Sequence, residues 1–88
     1  MPRAEKPKPR RPVHTVRLGA IEAAVWENEG ANGIFFATTF KRSYRDGEEW
    51  KESDSYGERD LLALARCALD AQSFIAQRAR DAARERAA

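Results

Sequence analysis

The chain has 88 residues, with 16 Lys plus Arg against 14 Asp plus Glu and a formal charge of +2. At this length it is one small domain that buries only roughly 60% of its unfolded surface, which excludes a multidomain enzyme. A single cysteine, Cys67, and a single histidine, His14, exclude an internal disulfide and leave no ligand set for zinc.

The charge is unevenly spread: residues 1–12 carry a net +4, residues 13–57 a net −3, and residues 58–88 a net +1. The longest apolar run, Leu61 to Ala65, is far below the roughly 20 residues needed to cross a bilayer. The basic start has no apolar core of a secretion signal, and one thiol suits a reducing compartment, so a soluble, cytoplasmic protein is expected.

Residues 1–13 hold all four prolines (Pro2, Pro7, Pro9, Pro12) among positive charges, a composition that predicts a disordered basic arm. From His14 to Tyr56 the pattern becomes one of period two, rich in β-branched and aromatic residues and broken by Gly and Asn, which predicts a sheet. Val16 and Leu18 alternate with Arg17, whereas Ile21, Ala23 and Val25 alternate with Glu22 and Ala24, so the phase slips near Gly19 and Ala20. A bulge or tight bend there restores one core face. The stretch Glu27 to Gly33 predicts a turn leading into the long run Ile34 to Tyr44, making a first hairpin. A second hairpin is expected where Asp46-Gly47 supplies positive-φ turn chemistry between Phe40–Tyr44 and Glu49–Ser53.

Ser55 stands three residues before Glu58, the spacing of a reciprocal helix cap, which places a helix start near Tyr56 or Gly57. From there to Ala76 the chain is dense in Leu and Ala. At 100° per residue, the apolar positions from Leu61 to Ile75 span an arc of about 240°, wider than the roughly 100° that one contact needs. The excess predicts packing on the chain's own sheet and against something else, with a homodimer as the economical answer. Leu64, Cys67, Ala71, Phe74 and Ile75 are the expected dimer contacts. Residues 77–88, alternating Ala with Arg, predict a solvated helical extension. The expected architecture is thus α+β: a disordered arm (1–13), an antiparallel sheet of three to four strands and one C-terminal helix (14–76), and the extension.

Few groups stand at spacings useful for catalysis, so no enzyme activity, cofactor, metal or small-molecule substrate is expected. His14 borders the arm without an acidic partner to orient it and reads as a strand-edge side chain. Cys67 on the apolar arc reads as a small hydrophobe. The acidic pairs Glu48-Glu49 and Glu52 with Asp54 lack a glycine-anchored loop of oxygen ligands and read as a solvated strand face.

Of eight aromatics, seven fall between Trp26 and Tyr56. Phe36, Thr38, Phe40, Arg42 and Tyr44 share one strand face, with Trp50 placed across the turn to pair with them. Arg17, Lys41, Arg45 and Lys51 lie close by. Aromatics interleaved with Arg and Lys make a platform on which unpaired bases stack, at about 1–3 kcal/mol each, while cations neutralise the backbone. The competing reading puts Phe36, Phe40 and Trp50 in the core under the helix. Phe35 and Phe36 point to opposite faces, however, and one helix covers only one, so a ligand or a second copy must cover the other. Against nucleic acid stands the acidic charge of the sheet.

The segment Lys41-Arg42-Ser43-Tyr44-Arg45-Asp46-Gly47-Glu48-Glu49-Trp50-Lys51, followed by a Ser-capped helix, resembles the second hairpin of the positive-cofactor-four family of transcriptional coactivators. That family is related to the Whirly proteins and has small bacterial and phage members. In it a strand ending in Arg-x-Tyr, a turn with Asp, Gly and Glu, and a strand bearing Lys precede the helix; Arg42, Tyr44, Asp46-Gly47-Glu48, Lys51 and Ser55 match in type and order. The resemblance implies a four-strand-plus-helix protomer, dimerisation largely through helices, and preference for single-stranded DNA over duplex without sequence reading. It implies contact roles for Arg42, Tyr44, Trp50 and Lys51, with Trp26 and Lys41 as neighbours. Where the family continues with Pro, Gly and Lys, this chain has Glu52-Ser53-Asp54, a less basic rim.

The expected function is therefore sequence-nonspecific binding of a single strand, DNA first and RNA as the alternative polymer, through Arg17, Trp26, Lys41, Arg42, Tyr44, Arg45, Trp50 and Lys51. The rival expectation is a protein-interaction module that uses its helix and a sheet edge and binds no nucleic acid.

Overall fold

A computed structural model describes residues 11–87. It is an α+β fold: four strands, β1 (His14–Leu18), β2 (Ile21–Gly30), β3 (Gly33–Asp46) and β4 (Glu49–Ser53), precede one helix, α1 (Leu61–Ala87). The strands form an antiparallel sheet in the order β1-β2-β3-β4. Most of the arm expected over residues 1–13 lies outside the described residues.

The phase slip is a two-residue turn: Leu18 pairs with Ile21 across Gly19-Ala20, and Gly19 takes φ 62°, a conformation strained for any residue with a Cβ. Ser43 then donates its N–H to Ala20 O at 2.9 Å, carrying the ladder into the turn. The first hairpin closes through Ala31-Asn32 alone, because β2 and β3 pair from Ile21↔Arg42 to Gly30↔Gly33. The second closes through Gly47-Glu48, one residue later than expected, with Asp46 paired to Glu49 and Gly47 at φ 67°. The sheet is staggered: β1 covers only Ile21–Val25 of β2, and β4 covers only Arg42–Asp46 of β3. The outer half of the β2–β3 hairpin projects as a two-stranded ribbon.

The helix lies over β1 and β2, touches β3 less, and makes no contact with β4. The core is Ile21, Ala23 and Cys67, with Val16, Phe40, Tyr56, Ala63 and Leu64 packed around them. Small residues where helix and sheet meet, Ala23 on β2 and Ala71 on α1, are both buried and let the two backbones approach closely.

Two expectations about the helix change. It starts at Leu61, and the cap is Asp60 rather than the Ser55–Glu58 pair: the Asp60 carbonyl accepts the Leu64 N–H at 2.9 Å, and its carboxylate accepts the Gly57 N–H at 3.1 Å. Ser55 is occupied otherwise, its carbonyl accepting from Arg42 Nε at 2.9 Å. The segment beyond residue 76 stays helical to Ala87 and does not merely point into solvent. Arg78 pairs with Glu27 at 3.1 Å and sets its guanidinium 5.8 Å from the Phe36 ring and 5.5 Å from the Phe74 ring, clasping the helix to the projecting hairpin.

The expected dimer residues turn inward. Cys67 and Ala71 are buried against the chain's own sheet, Leu64 packs on the core cluster, Phe74 stacks on His14 with ring centroids 4.2 Å apart, and Ile75 is half-buried. The apolar surplus emerges on other positions, with Leu62 84% and Leu69 65% exposed.

Candidate nucleic-acid interface

Each two-residue turn pairs odd-numbered residues of one strand with even-numbered residues of the next, and paired residues share a face. Phe36, Thr38, Phe40, Arg42 and Tyr44 therefore lie on the helix side with Ile21, Ala23 and Val25. Trp50 pairs with Arg45, whereas Tyr44 pairs with Lys51. The expectation that Trp50 joins the Tyr44 face is thus overturned by the odd sum of paired residue numbers.

The eight expected contact residues fall into two groups. Arg17, Trp26, Lys41, Arg45 and Trp50 stand on the open face, which no element among the described residues covers; Arg42, Tyr44 and Lys51 stand on the helix side. Phe35, which was not among the eight, joins the open face at 53% exposure. Its ring lies over Gly30, where a Cβ would stand 3.2 Å from Phe35 Cε1. A glycine beside an aromatic on the facing strand is the signal in the sequence that could have found it.

Along β3 the open face reads as successive rows. Arg45 faces Trp50, which is 67% exposed, and the guanidinium carbon sits 5.2 Å from the indole centroid. Next, Arg17 on β1, Glu22 on β2, Lys41 on β3 and Glu52 on β4 form a band of alternating charge. Arg17 pairs with Glu22 at 2.9 Å and Lys41 with Glu52 at 2.7 Å. The bond to Glu52 holds the Lys41 ammonium above its ordinary pKa against the opposing effect of burial, with a smaller upward push from Glu22. Farther on, Trp26 pairs with Ala37 and donates its indole N–H to Thr39 Oγ1 at 2.9 Å, which fixes the ring's edge on the sheet. At about 3.4 Å per residue, the eight steps from Arg45 to Ala37 set the two tryptophan rows roughly 27 Å apart. A groove of about 720 Å³ opens beside Trp50, lined by Arg17, Glu22, Ser43, Arg45 and Glu52 among others.

The helix-side group is more constrained. Arg42 is a brace: besides bonding Ser55 O it faces Asp60 at 3.6 Å and packs 5.2 Å from the Tyr44 ring centroid. Lys51 pairs with Asp46 at 2.9 Å. Of the expected contact cations, Arg45 is the one with no carboxylate partner among the described residues. Beside the helix, a second groove of about 490 Å³ is lined by Phe40, Tyr56, Leu61, Leu64, Ala65 and Ala68. Burial there, followed by the charge of Asp54, raises the Tyr56 phenol pKa, and its hydroxyl finds no hydrogen-bond partner among the described residues.

No helix among the described residues is long and apolar enough to cross a membrane. Comparison with known protein families, curated proteins and solved structures finds no significant match to this chain.

Proposed function

We propose that the open face of the sheet binds single-stranded nucleic acid, DNA in the first instance, by stacking bases on its aromatics without reading sequence. The observation that carries this is the exposure of Trp50 and Phe35 on a sheet face that also bears Trp26, Arg17, Lys41 and Arg45 and that the protein's own helix leaves uncovered. Aromatic area of this kind is unfavourable in water unless something covers it, and bases with unpaired faces suit a flat platform edged by cations. The likeness of the second hairpin to the positive-cofactor-four family supports the same reading. Arg42 belongs in it as a positioning residue, and Trp50 with Arg45 as the primary stacking site.

The test is anisotropy of a labelled oligonucleotide of about 30 bases, single-stranded and then duplex, at two salt concentrations. Single-strand preference supports the proposal; equal binding of duplex, or none, rejects it.

A specific observation also favours self-association. Leu62 and Leu69 stand exposed one heptad apart on α1, next to the groove that holds the Tyr56 hydroxyl, which has no hydrogen-bond partner among the described residues. A second copy laid helix to helix covers both. Sizing chromatography with multi-angle light scattering reads this directly: a dimer that Leu62→Glu with Leu69→Glu turns into a monomer is the expected result.

A further inference from the structure

We propose that Glu22 and Glu52 are specificity-determining residues of the open face, holding Arg17 and Lys41 in ion pairs so that phosphates alone cannot secure a ligand and accessible bases are required. This rests on the nucleic-acid reading above and concerns how that same face selects its strand.

The band Arg17–Glu22–Lys41–Glu52 crosses all four strands with alternating sign. Glu22 lies between two cations, paired across β1–β2 with Arg17 and across β2–β3 with Lys41, and its side chain is only 19% exposed. It is a fixed carboxylate in the middle of the platform. Glu52 bonds Lys41 from the other side. A phosphate approaching either cation meets a carboxylate already paired with it, so its electrostatic gain is offset by repulsion from that carboxylate or by loss of the existing pair. Free cations produce the opposite behaviour: each one that neutralises a phosphate releases condensed counterions and adds about 0.7 to the salt slope on a single strand and about 0.9 on duplex.

The flanking rows lack such competition. Arg45 has no carboxylate partner among the described residues and lies on Trp50, and Trp26 is held by Thr39. The face thus offers stacking at its two ends and self-neutralised charge between them. Duplex, rich in phosphate but with its base faces stacked away, gains least from this arrangement.

The experiment compares wild type, Glu22→Gln, Glu52→Gln, the double variant, and Glu85→Gln, which changes net charge equally on an exposed position of the helix. Anisotropy is read on single-stranded and duplex oligonucleotides across a salt series, with urea midpoints to establish folding. The wild type is expected to show a shallow slope. Each Gln substitution frees one cation and should tighten single-strand binding by about fivefold at 0.1 M salt, the double variant by about 25-fold and its duplex binding by about 60-fold, with matching steeper slopes. Glu85→Gln should change affinity by less than about twofold. If wild type binds single strands through Trp50 and the Gln variants match it in affinity and slope, this inference is overturned while the proposed function stands. If Glu85→Gln tightens binding as much as the others, net charge and not the band is responsible, which also overturns it. Absence of binding by every variant at low salt rejects the proposed function and the inference together.

Discussion

The two faces of the sheet are built on opposite plans. The helix-side face is closed by small residues, with Ala23, Val25 and Ile21 set against Cys67 and Ala71, all buried. The open face carries both tryptophans, Trp26 and Trp50, together with Phe35, interleaved with charge, whereas Phe36, Phe40 and Tyr44 stand on the helix side and Phe40 packs on the core. If burial of apolar area alone had shaped the chain, Trp50 and Phe35 would not stand 67% and 53% exposed, because each ring buries 150–250 Å². A sheet that keeps alanines in its core and tryptophans outside has its stability and its recognition on separate faces, so each can be altered without the other.

The largest expected effect tests the closed face. Ile21→Ala removes a fully buried side chain and should cost about 2–5 kcal/mol, seen as a large drop in the urea midpoint. Next comes the open face: Trp50→Ala should weaken single-strand binding by about 1–3 kcal/mol, roughly 5- to 150-fold, with a change in folding stability within about 0.5 kcal/mol. If Trp50→Ala instead unfolds the protein, the separation of faces is wrong. Arg78→Ala removes the clasp on Glu27, Phe36 and Phe74. Because Arg78 and Glu27 are partly exposed, solvent screening limits the loss to about 1 kcal/mol, read as a lower thermal midpoint with binding unchanged.

The smallest effect is on pH dependence. Burial, and secondarily Asp70, raises the Cys67 thiol above its ordinary 9.0, and burial raises Tyr56 above 10.0. Both groups keep their protons longer folded than unfolded. Their contribution is therefore complete below the ordinary values and is lost as pH rises through the raised ones. Stability should hold from neutrality to about pH 9 and decline above it, and Cys67→Ala should remove the first part of that decline.

Much of this organisation is legible in the sequence. Gly19, Asn32-Gly33 and Gly47 mark all three turns, and the alternation of β2 identifies its buried face. The split of the aromatics is legible too, since any two-residue loop gives paired residues an odd sum and so sets Trp50 opposite an odd-numbered residue of β3, away from Tyr44. The helix start was ambiguous for a different reason. Ser55–Glu58 has cap spacing, but Arg42 draws the Ser55 carbonyl away and faces Asp60, a contact made across the fold. Helical periodicity likewise defines an apolar arc without its orientation. Which part of the arc meets the sheet is decided by where Ala23 admits Cys67 and Ala71, and that choice moves the exposed surplus to Leu62 and Leu69. The Arg78 clasp depends on Glu27, 51 residues away in sequence, and no local pattern marks it.

The most direct test of the central claim uses the protein's own probes. Both tryptophans of the chain, Trp26 and Trp50, lie on the open face, so intrinsic fluorescence reports on that face alone. Titrating an unlabelled single-stranded 30-mer should change tryptophan emission saturably, with the same midpoint as anisotropy, and Trp50→Phe should remove much of the signal while binding persists. Binding by anisotropy with tryptophan emission unchanged would place the strand elsewhere on the molecule and contradict the account.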